Sequence, residues 1–262
     1  EGLRRAAVEG FPGCSTEPVI YGRDGMETEL EQIKSAVRAV GRAGIPVLGY
    51  DWSPQGVGRT SVGTKWRGGA KVTEYDSADL GNGTPPTDTP SEAQLWGNYE
   101  RFLEEVLPVA EEAGVKLALH PNDPPVDEFD NTPFLHTTIE AFERTMEMVP
   151  SPNHGINLGI GTWSASEEDV FDVIDTFGSR DEIFYVHFRD VAGTVPSFHE
   201  TFVDEGNYDA FDLLAALDDV DYEGIVIPDH VPRVAGDTDW GHRSRSFTVG
   251  YLRAALEAVQ RD

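Results

Sequence analysis

Short apolar runs alternate with amphipathic segments along most of the chain, and this alternation limits the possible folds more than any other feature of the sequence. The amphipathic segments have helical spacing and charged outer faces, and they cover residues 26–43, 91–113, 137–148, 167–177, 208–217 and 246–259. The apolar runs are rich in β-branched or aromatic residues and are predicted strands, at residues 18–21, 45–50, 115–119, 155–158, 183–188 and 224–227. Strict alternation of strands and helices predicts a parallel sheet.

The length of the chain favours a single α/β domain. A TIM (β/α)8-type barrel commonly has about 250 residues, and the chain has 262. We therefore predict one barrel domain over residues 1–262. Such a barrel needs two strands more than the sequence predicts, and the chain begins with the helix-like EGLRRAAVEG, so the first strand is expected to be missing at the N-terminus.

Residues 53–90 stand apart from this pattern. They contain many Gly, Pro, Thr and Asp residues and show no sustained periodicity. Loops of this length are usually functional lids or disordered segments. Two interpretations stay open: a lid in which Trp66, Arg67 and Tyr75 cover a polar substrate, or a flexible insertion.

The charge of the chain excludes several classes of partner. The sequence has 47 acidic and 20 basic residues and a formal net charge of −27, which repels nucleic acids and anionic membranes. Only four of the basic residues are lysines: Lys34, Lys65, Lys71 and Lys116. Acid-rich, lysine-poor surfaces suit a salt-rich cytoplasm, where screening removes self-repulsion, so a halophilic source is predicted.

Cysteine usage and hydropathy point to the cytoplasm. Cys14 is the only cysteine, so the chain has no intramolecular disulfide and no cysteine zinc cluster. No stretch approaches the roughly 20 apolar residues that cross a bilayer, and no leader with basic and apolar regions is visible. A soluble cytoplasmic protein is the expectation.

Metal-binding residue types follow three predicted strands where each strand ends. His120 closes the run in VKLALHPNDPPV, His187 lies in YVHFRD, and Asp229 lies in GIVIPDHVP. In α/β barrels the carboxyl ends of the strands gather at the face that carries the chemistry, so these side chains are expected to meet. Two histidines and one carboxylate bind Mn, Fe, Co or Zn and leave positions open for substrate. The alternative is that each is a hydrogen-bonded barrel residue.

Other polar residues lie close to these strand ends. Arg189 follows His187 by two residues, so both side chains point to one side of the strand, where the guanidinium suits an anionic substrate or pairs with an acidic residue. Asp123 and Asp190 lie three residues beyond the two histidines. They either orient the rings or cap turns, and we favour the turn role for Asp123.

The segment PSFHETF follows the His187 strand and carries His199 and Glu200. This pair either places a proton-transferring group over the site or belongs to a surface loop. The sequence has no GxGxxG motif after a strand, no Walker loop and no GxSxG elbow, so nucleotide-cofactor chemistry and serine hydrolysis have little support.

Taken in order, these segments resemble the mannonate dehydratases, which convert D-mannonate to 2-keto-3-deoxygluconate in hexuronate breakdown. The similarity extends over residues 25–259 and includes NYERFLEEVLPVAEEAGVKLALHPNDPP, YVHFRD, PSFHE, IPDH and the closing VGYLRAAL. HPNDPP is similar to the family's His-Pro-Asp-Asp-Pro-Pro.

The resemblance implies a (β/α)8-type barrel, a bound divalent metal, with Mn2+ placed before Fe2+, and a homo-oligomer. It assigns metal binding to His120, His187 and Asp229. The residues that it places near the sugar acid are Arg189, His199 and Glu200.

Two positions depart from the family's pattern. The family's fourth metal ligand is a cysteine on the strand after the His120 strand, and Gly159 occupies the aligned place. Loss of a soft anionic ligand weakens a metal site and favours harder metals, or opens another position for water or substrate. The family's proposed proton donor, a tyrosine before the final helix, aligns near Ser246.

The leading hypothesis is a metal-dependent hydro-lyase acting on a sugar acid. The metal would polarise the carboxylate and hydroxyl groups of the substrate, so that a base removes the proton beside the carboxylate while hydroxide leaves. Arg189 would hold the carboxylate, and His199, Glu200 or His230 would transfer the proton. The alternatives are a sugar isomerase or epimerase of the xylose-isomerase-like barrels, a catalytically impaired paralogue, and a barrel that only binds a ligand or partner.

Overall fold

Helices and strands alternate in the computed structural model, which describes residue 2 and residues 4–53, 55–80 and 89–260. The strands are β1 (Ala7–Glu9), β2 (Val47–Asp51), β3 (Ser61–Lys65), β4 (Lys71–Asp76), β5 (Lys116–His120), β6 (Glu128–Phe129), β7 (Thr132–Pro133), β8 (His154–Gly159), β9 (Ile183–Phe188), β10 (Val191–Thr194), β11 (Ser197–Glu200) and β12 (Ile225–Pro228). The helices are α1 (Glu17–Tyr21), α2 (Met26–Arg42), α3 (Glu92–Ala113), α4 (Ile139–Met148), α5 (Ile160–Ala165), α6 (Val170–Gly178), α7 (Ala210–Asp219) and α8 (His242–Val259).

The main sheet is parallel, as the alternation predicts. Within the described residues it has six strands in the order β1-β2-β5-β8-β9-β12, and its edge strands β1 and β12 do not pair with each other. Five predicted strands are confirmed within one or two residues at each end, as β2, β5, β8, β9 and β12. The six predicted helices correspond to α2, α3, α4, α6, α7 and α8. The largest differences are at the first residues of two helices. Helix α6 begins at Val170 rather than residue 167, and α8 begins at His242 rather than residue 246.

Two predictions near the N-terminus are wrong. Residues 18–21 form most of α1 rather than a strand, because Pro18 lies at the start of the segment, where its fixed φ favours the first helical turn. The helix-like EGLRRAAVEG contains β1, which pairs in parallel with β2. A strand of three residues is too short to show a period of two, so the sequence pattern could not mark β1. The expected absence of a barrel strand is not contradicted, because the main sheet has six strands within the described residues where a (β/α)8 barrel has eight.

Part of the 53–90 segment forms regular structure instead of a long loop. Strands β3 and β4 pair antiparallel, and β4 also pairs with β11, which gives a four-stranded sheet in the order β10-β11-β4-β3. The rest of the predicted loop includes residues 54 and 81–88, which lie outside the described residues. None of the described helices is both long and apolar enough to cross a bilayer.

The main core lies between the parallel sheet and its helices, and it contains two buried histidines that line no described cavity. His136 is fully buried, packs against the rings of Tyr99 and Trp96, and has no hydrogen-bond partner for either ring nitrogen among the described residues. His154 starts β8, and its Nε2 lies 2.9 Å from the hydroxyl of Tyr50. Burial lowers the pKa of each histidine to about 3, and for His136 the nearby His154 adds to the shift.

These two histidines predict a loss of stability in mild acid. Both folded-state pKa values lie below the unfolded value of about 6.5, so between these values the unfolded chain binds more protons. The free energy of unfolding should therefore fall as pH drops through this window, by up to about 2 kcal/mol per histidine between pH 7 and pH 5. Urea unfolding of wild type and His136→Phe at pH 7 and pH 5 measures this fall in the free energy of unfolding. An equal loss in both proteins would contradict the role of His136.

Candidate active site

The carboxyl ends of all six parallel strands surround one cavity of about 210 Å³, which we call the site cavity. Strands from both edges of the sheet contribute to it, so the sheet is curled. The lining residues are Glu9, Gly10, Gly49, Tyr50, Asp51, Ser53, Gly56, Val57, His120, Pro121, Asn122, Asp123, Asn157, His187, Asp229 and His230.

His120 is presented by a turn that hydrogen bonds hold in place. Its Nδ1 donates to the carbonyl oxygen of Pro121 at 2.8 Å, which leaves the Nε2 lone pair free to bind a metal. Two residues on, the amide of Asn122 bridges the carbonyl oxygen of Trp52 and the backbone N–H of His136. Burial, with a smaller effect of His187, lowers the pKa of His120 to about 4, so the ring is neutral at pH 7, as a metal ligand must be.

His187 and Asp229 complete a group of three metal-binding residue types. One donor atom each from His120, His187 and Asp229 lies within 4.8 Å of the other two, as the spacing of the strand ends predicts. Nδ1 of His187 lies 3.6 Å from Oδ1 of Asp229. Burial alone would raise the pKa of Asp229, but the charges of His230 and Arg189 outweigh it and lower the pKa, so this carboxylate is ionised.

Gly159 faces the same group. A Cβ atom built on Gly159 would lie 2.3 Å from Nε2 of His120, a distance that no side chain tolerates. The imidazole of His120 thus fills the space into which a side chain at position 159 would extend. Any larger residue there would require His120 to shift.

A buried ion network lies beside the cavity. Asp123 accepts hydrogen bonds from Nη1 and Nη2 of Arg59, at 2.7 and 2.9 Å, and a further one from Arg189. Arg189 also donates through Nε to Asp229 at 2.8 Å, while its Nη1 has no hydrogen-bond partner among the described residues. Burial raises the pKa of Asp123, but the two guanidinium groups outweigh this and lower it. The preferred turn role for Asp123 is therefore wrong, because two buried cations surround its carboxylate.

Glu200 and His230 extend this network to the cavity. Oε1 of Glu200 accepts from Nδ1 of His230 at 2.6 Å and from Nη2 of Arg59 at 2.9 Å. Glu200 is buried, whereas His230 is partly exposed and lines the cavity. Since Nδ1 donates to Glu200, Nε2 of His230, which lies 3.9 Å from Oδ1 of Asp229, is the nitrogen that can exchange a proton.

The structure does not bring every predicted residue to the cavity. His199 lies on the opposite face of β11 from Glu200, and its ring packs on Trp66 with centroids 4.2 Å apart. Arg67 pairs with Asp204, and Tyr75 is buried in the four-stranded sheet. None of these four predicted residues lines the site cavity in the described part of the chain.

Two further predicted positions have structural partners. Asp190 accepts from Ser164 and from the backbone N–H of Tyr208, so it caps a turn and does not orient the ring of His187. Ser246 is exposed in the second turn of α8, where its hydroxyl donates to the carbonyl oxygen of His242 at 2.7 Å.

Comparison with known proteins identifies the family. The sequence model of the family D-mannonate dehydratase (UxuA) matches residues 86–262. A mannonate dehydratase of Thermotoga neapolitana is 30% identical over 94% of this chain and 79% of its own length. The chain belongs to the D-mannonate dehydratase family. A crystal structure of mannonate dehydratase from Streptococcus suis serotype 2 has a TM-score of 0.92 at 30% identity, covering 99% of this chain and 79% of that chain.

Other structural relatives of this mannonate dehydratase family member confirm the fold class. A D-tagatose 3-epimerase-like protein has a TM-score of 0.67 at 16% identity, covering 99% of this chain and 80% of that chain. A xylose isomerase domain protein from Planctomyces limnophilus has a TM-score of 0.62 at 13% identity, covering 98% and 79% of the two chains. The fold is therefore of the TIM-barrel type, and the predicted family and barrel class are both confirmed.

Two residues close to the donors escaped the sequence interpretation. Arg59 lies in the irregular 53–90 segment, and its partners Asp123 and Glu200 are 64 and 141 residues away, so no local pattern marks it. Glu9 lies in the segment read as helical, and its carboxylate contacts Nε2 of His187. A strand assignment for residues 7–9 would have placed Glu9 at a strand end beside the other site residues.

Burial predicts that losing the aspartate of two Arg–Asp pairs has very different effects on the stability of the protein. Asp123→Asn leaves two buried guanidinium groups without their shared counter-ion and should cost about 3–5 kcal/mol of stability. Asp204→Asn breaks the exposed pair with Arg67, which also has two 2.8 Å hydrogen bonds, and should cost less than about 1 kcal/mol. Urea midpoints at pH 7 compare the two variants. Equal costs would contradict the importance of burial.

Proposed function

We propose that this chain is a metal-dependent sugar-acid dehydratase that converts D-mannonate to 2-keto-3-deoxy-D-gluconate and water. The observation that carries the proposal is the meeting of His120, His187 and Asp229 in a cavity that also holds His230. The names of the relatives support the choice of substrate.

The residues of the cavity fit a divalent metal. Two imidazoles and an ionised carboxylate are a donor set for Mn2+ or Fe2+, and they leave positions open for substrate. His120, His187 and Asp229 would hold the ion, which we propose to be Mn2+. When bound, such an ion stabilises the negative charge that develops on the substrate carboxylate as the neighbouring carbon loses its proton.

The surrounding residues have separate roles in this proposal. His230 lines the cavity, and Glu200 orients its ring through Nδ1, so we assign the proton transfer to its Nε2. Arg189 donates through Nε to Asp229 and holds this carboxylate in place, so we assign it to positioning. Its Nη1 is the one guanidinium nitrogen without a hydrogen-bond partner in the described structure. His199 packs against Trp66, and we assign it no step.

The activity test uses the purified chain, D-mannonate and Mn2+. The expected product is a 2-keto-3-deoxy acid, and a chelator should abolish its formation until Mn2+ is restored. His230→Gln should lower kcat about 10²–10⁴-fold, the usual effect of losing a proton-transferring group. His242→Ala changes an exposed histidine at the start of α8 and is the matched control. A stereoisomer formed without loss of water would contradict dehydration and favour the isomerase or epimerase alternative.

We also propose that the chain works in a salt-rich cytoplasm, as a homo-oligomer. The net charge of −27 supports the salt-rich surroundings, and membership of the family supports the homo-oligomer. The screening length falls from about 10 Å at 0.1 M salt to about 3 Å at 1 M, which removes most repulsion between surface carboxylates. The Tm should therefore rise steeply between 0.1 and 2 M KCl, and thermal melts across this range measure it. A Tm that is independent of KCl concentration would refute this proposal.

A further inference from the structure

Glu9 is a cavity carboxylate that has no role in the proposed function. It ends β1, and parallel pairing with β2 places its backbone opposite Gly49. Its side chain is 49% exposed and lines the cavity beside His187 and Asp229. Among the interactions of the described residues, its one ion-pair contact is with His187.

The contact between Glu9 and His187 determines which nitrogen of the imidazole ring carries the proton. Oε1 of Glu9 contacts Nε2 of His187, and Nδ1 on the other side of the ring faces Oδ1 of Asp229 at 3.6 Å. A carboxylate only accepts hydrogen bonds, so the proton of the neutral ring lies on Nε2, and the Nδ1 lone pair is directed to the side of Asp229. A carboxylate on the far nitrogen of a metal-binding histidine fixes the ring and raises its basicity.

The neighbouring residues support this arrangement. Asn157 lies 3.2 Å from the same nitrogen through its amide, and its Oδ1 has no hydrogen-bond partner among the described residues. Turning this amide by 180° directs Oδ1 to the Nε2–H of His187, which is a second acceptor for the same tautomer. Glu9 also packs closely over Gly49, since a Cβ built on that glycine would lie in van der Waals contact with Cγ of Glu9, at 3.5 Å.

Glu9 also adds negative charge near the proposed metal donors. Asp229 is the one anionic donor of the group of three, and Gly159, against Nε2 of His120, supplies no further charge. Glu9 brings a second negative charge to within one imidazole ring of the donor atoms. Hard oxygen and nitrogen donors with this charge suit Mn2+ or Fe2+.

We propose that Glu9 is a positioning residue of the metal centre: it holds His187 in the Nε2–H tautomer and supplies through that ring the anionic charge that Gly159 cannot supply. The inference rests on the proposed function, because it requires His187 to bind the metal.

Mn2+ titrations of wild type, Glu9→Gln and Asp51→Asn test the charge. Asp51 is the matched control, since it ends the adjacent strand, lines the same cavity and loses the same charge. Glu9→Gln should raise the Kd for Mn2+ at least about tenfold at both 0.1 and 1 M KCl. Asp51→Asn acts only through long-range charge, so its effect should be less than about threefold and should vanish at 1 M KCl.

Long-range ¹H–¹⁵N correlation spectra of the imidazole rings test the tautomer in the metal-free proteins. Wild type and Glu9→Gln should both show His187 with its proton on Nε2, because Gln keeps an acceptor oxygen, whereas Glu9→Ala should show a mixture of tautomers. His187→Gln identifies the signal. Unchanged melting temperatures check that the variants fold, and β1 is an edge strand with a half-exposed Glu9, which favours folding.

The outcomes separate this inference from the proposed function. If wild type binds Mn2+ and Glu9→Gln binds it equally well, Glu9 has no part in the metal centre and the proposed function stands. Equal losses in Glu9→Gln and Asp51→Asn, or a wild-type His187 protonated on Nδ1, would also overturn the inference alone. If wild type binds no Mn2+, the proposed metal centre and the inference both fail.

Discussion

The pairing of Asp123 with two arginines is the interaction on which the rest of the site depends. Arg59 comes from the segment that leads into the four-stranded sheet, Arg189 follows β9, and Asp123 lies in the turn after β5. Taking two guanidinium groups out of water costs several kcal/mol each, and a shared buried carboxylate offsets that cost only when its hydrogen bonds are well formed. The network therefore fixes the four-stranded sheet against the carboxyl ends of the parallel strands.

Two residues of the cavity, Asp229 and His230, are connected to this network. Arg189 holds Asp229 through Nε, and Glu200 joins Arg59 to His230. The orientation of Asp229 and His230 is thus determined by buried charges that do not themselves line the cavity, except for Asp123. Charge-assisted hydrogen bonds of this kind are about twice as strong as neutral ones, so they hold Asp229 and His230 firmly in position.

The sequence predicts those parts of the molecule that local patterns encode. His120, His187 and Asp229 could be found because each directly follows an apolar run, and the parallel sheet then brings strand ends together. The four-stranded sheet could not be found, because β3 and β4 are short, β3 is largely exposed, and β4 pairs with β11 across more than 100 residues. Pairing of Arg59 with Asp123 is likewise a tertiary contact. Glu9 was missed because β1 has only three residues, with no alternation to mark it as a strand.

An acidic surface does not prevent the site from binding an anionic substrate, because the repulsion from surface carboxylates is screened by salt while the contacts inside the site are short. At molar salt the screening length is about 3 Å, so the many surface carboxylates contribute little potential inside the cavity. Contacts at 2.7–2.9 Å inside the buried network are shorter than this length and are shielded from salt by burial. Arginine suits this setting better than lysine, because its planar fork pairs with carboxylates through two hydrogen bonds and is more weakly hydrated. The acidic surface and the proposed sugar-acid site can therefore be varied independently in one chain.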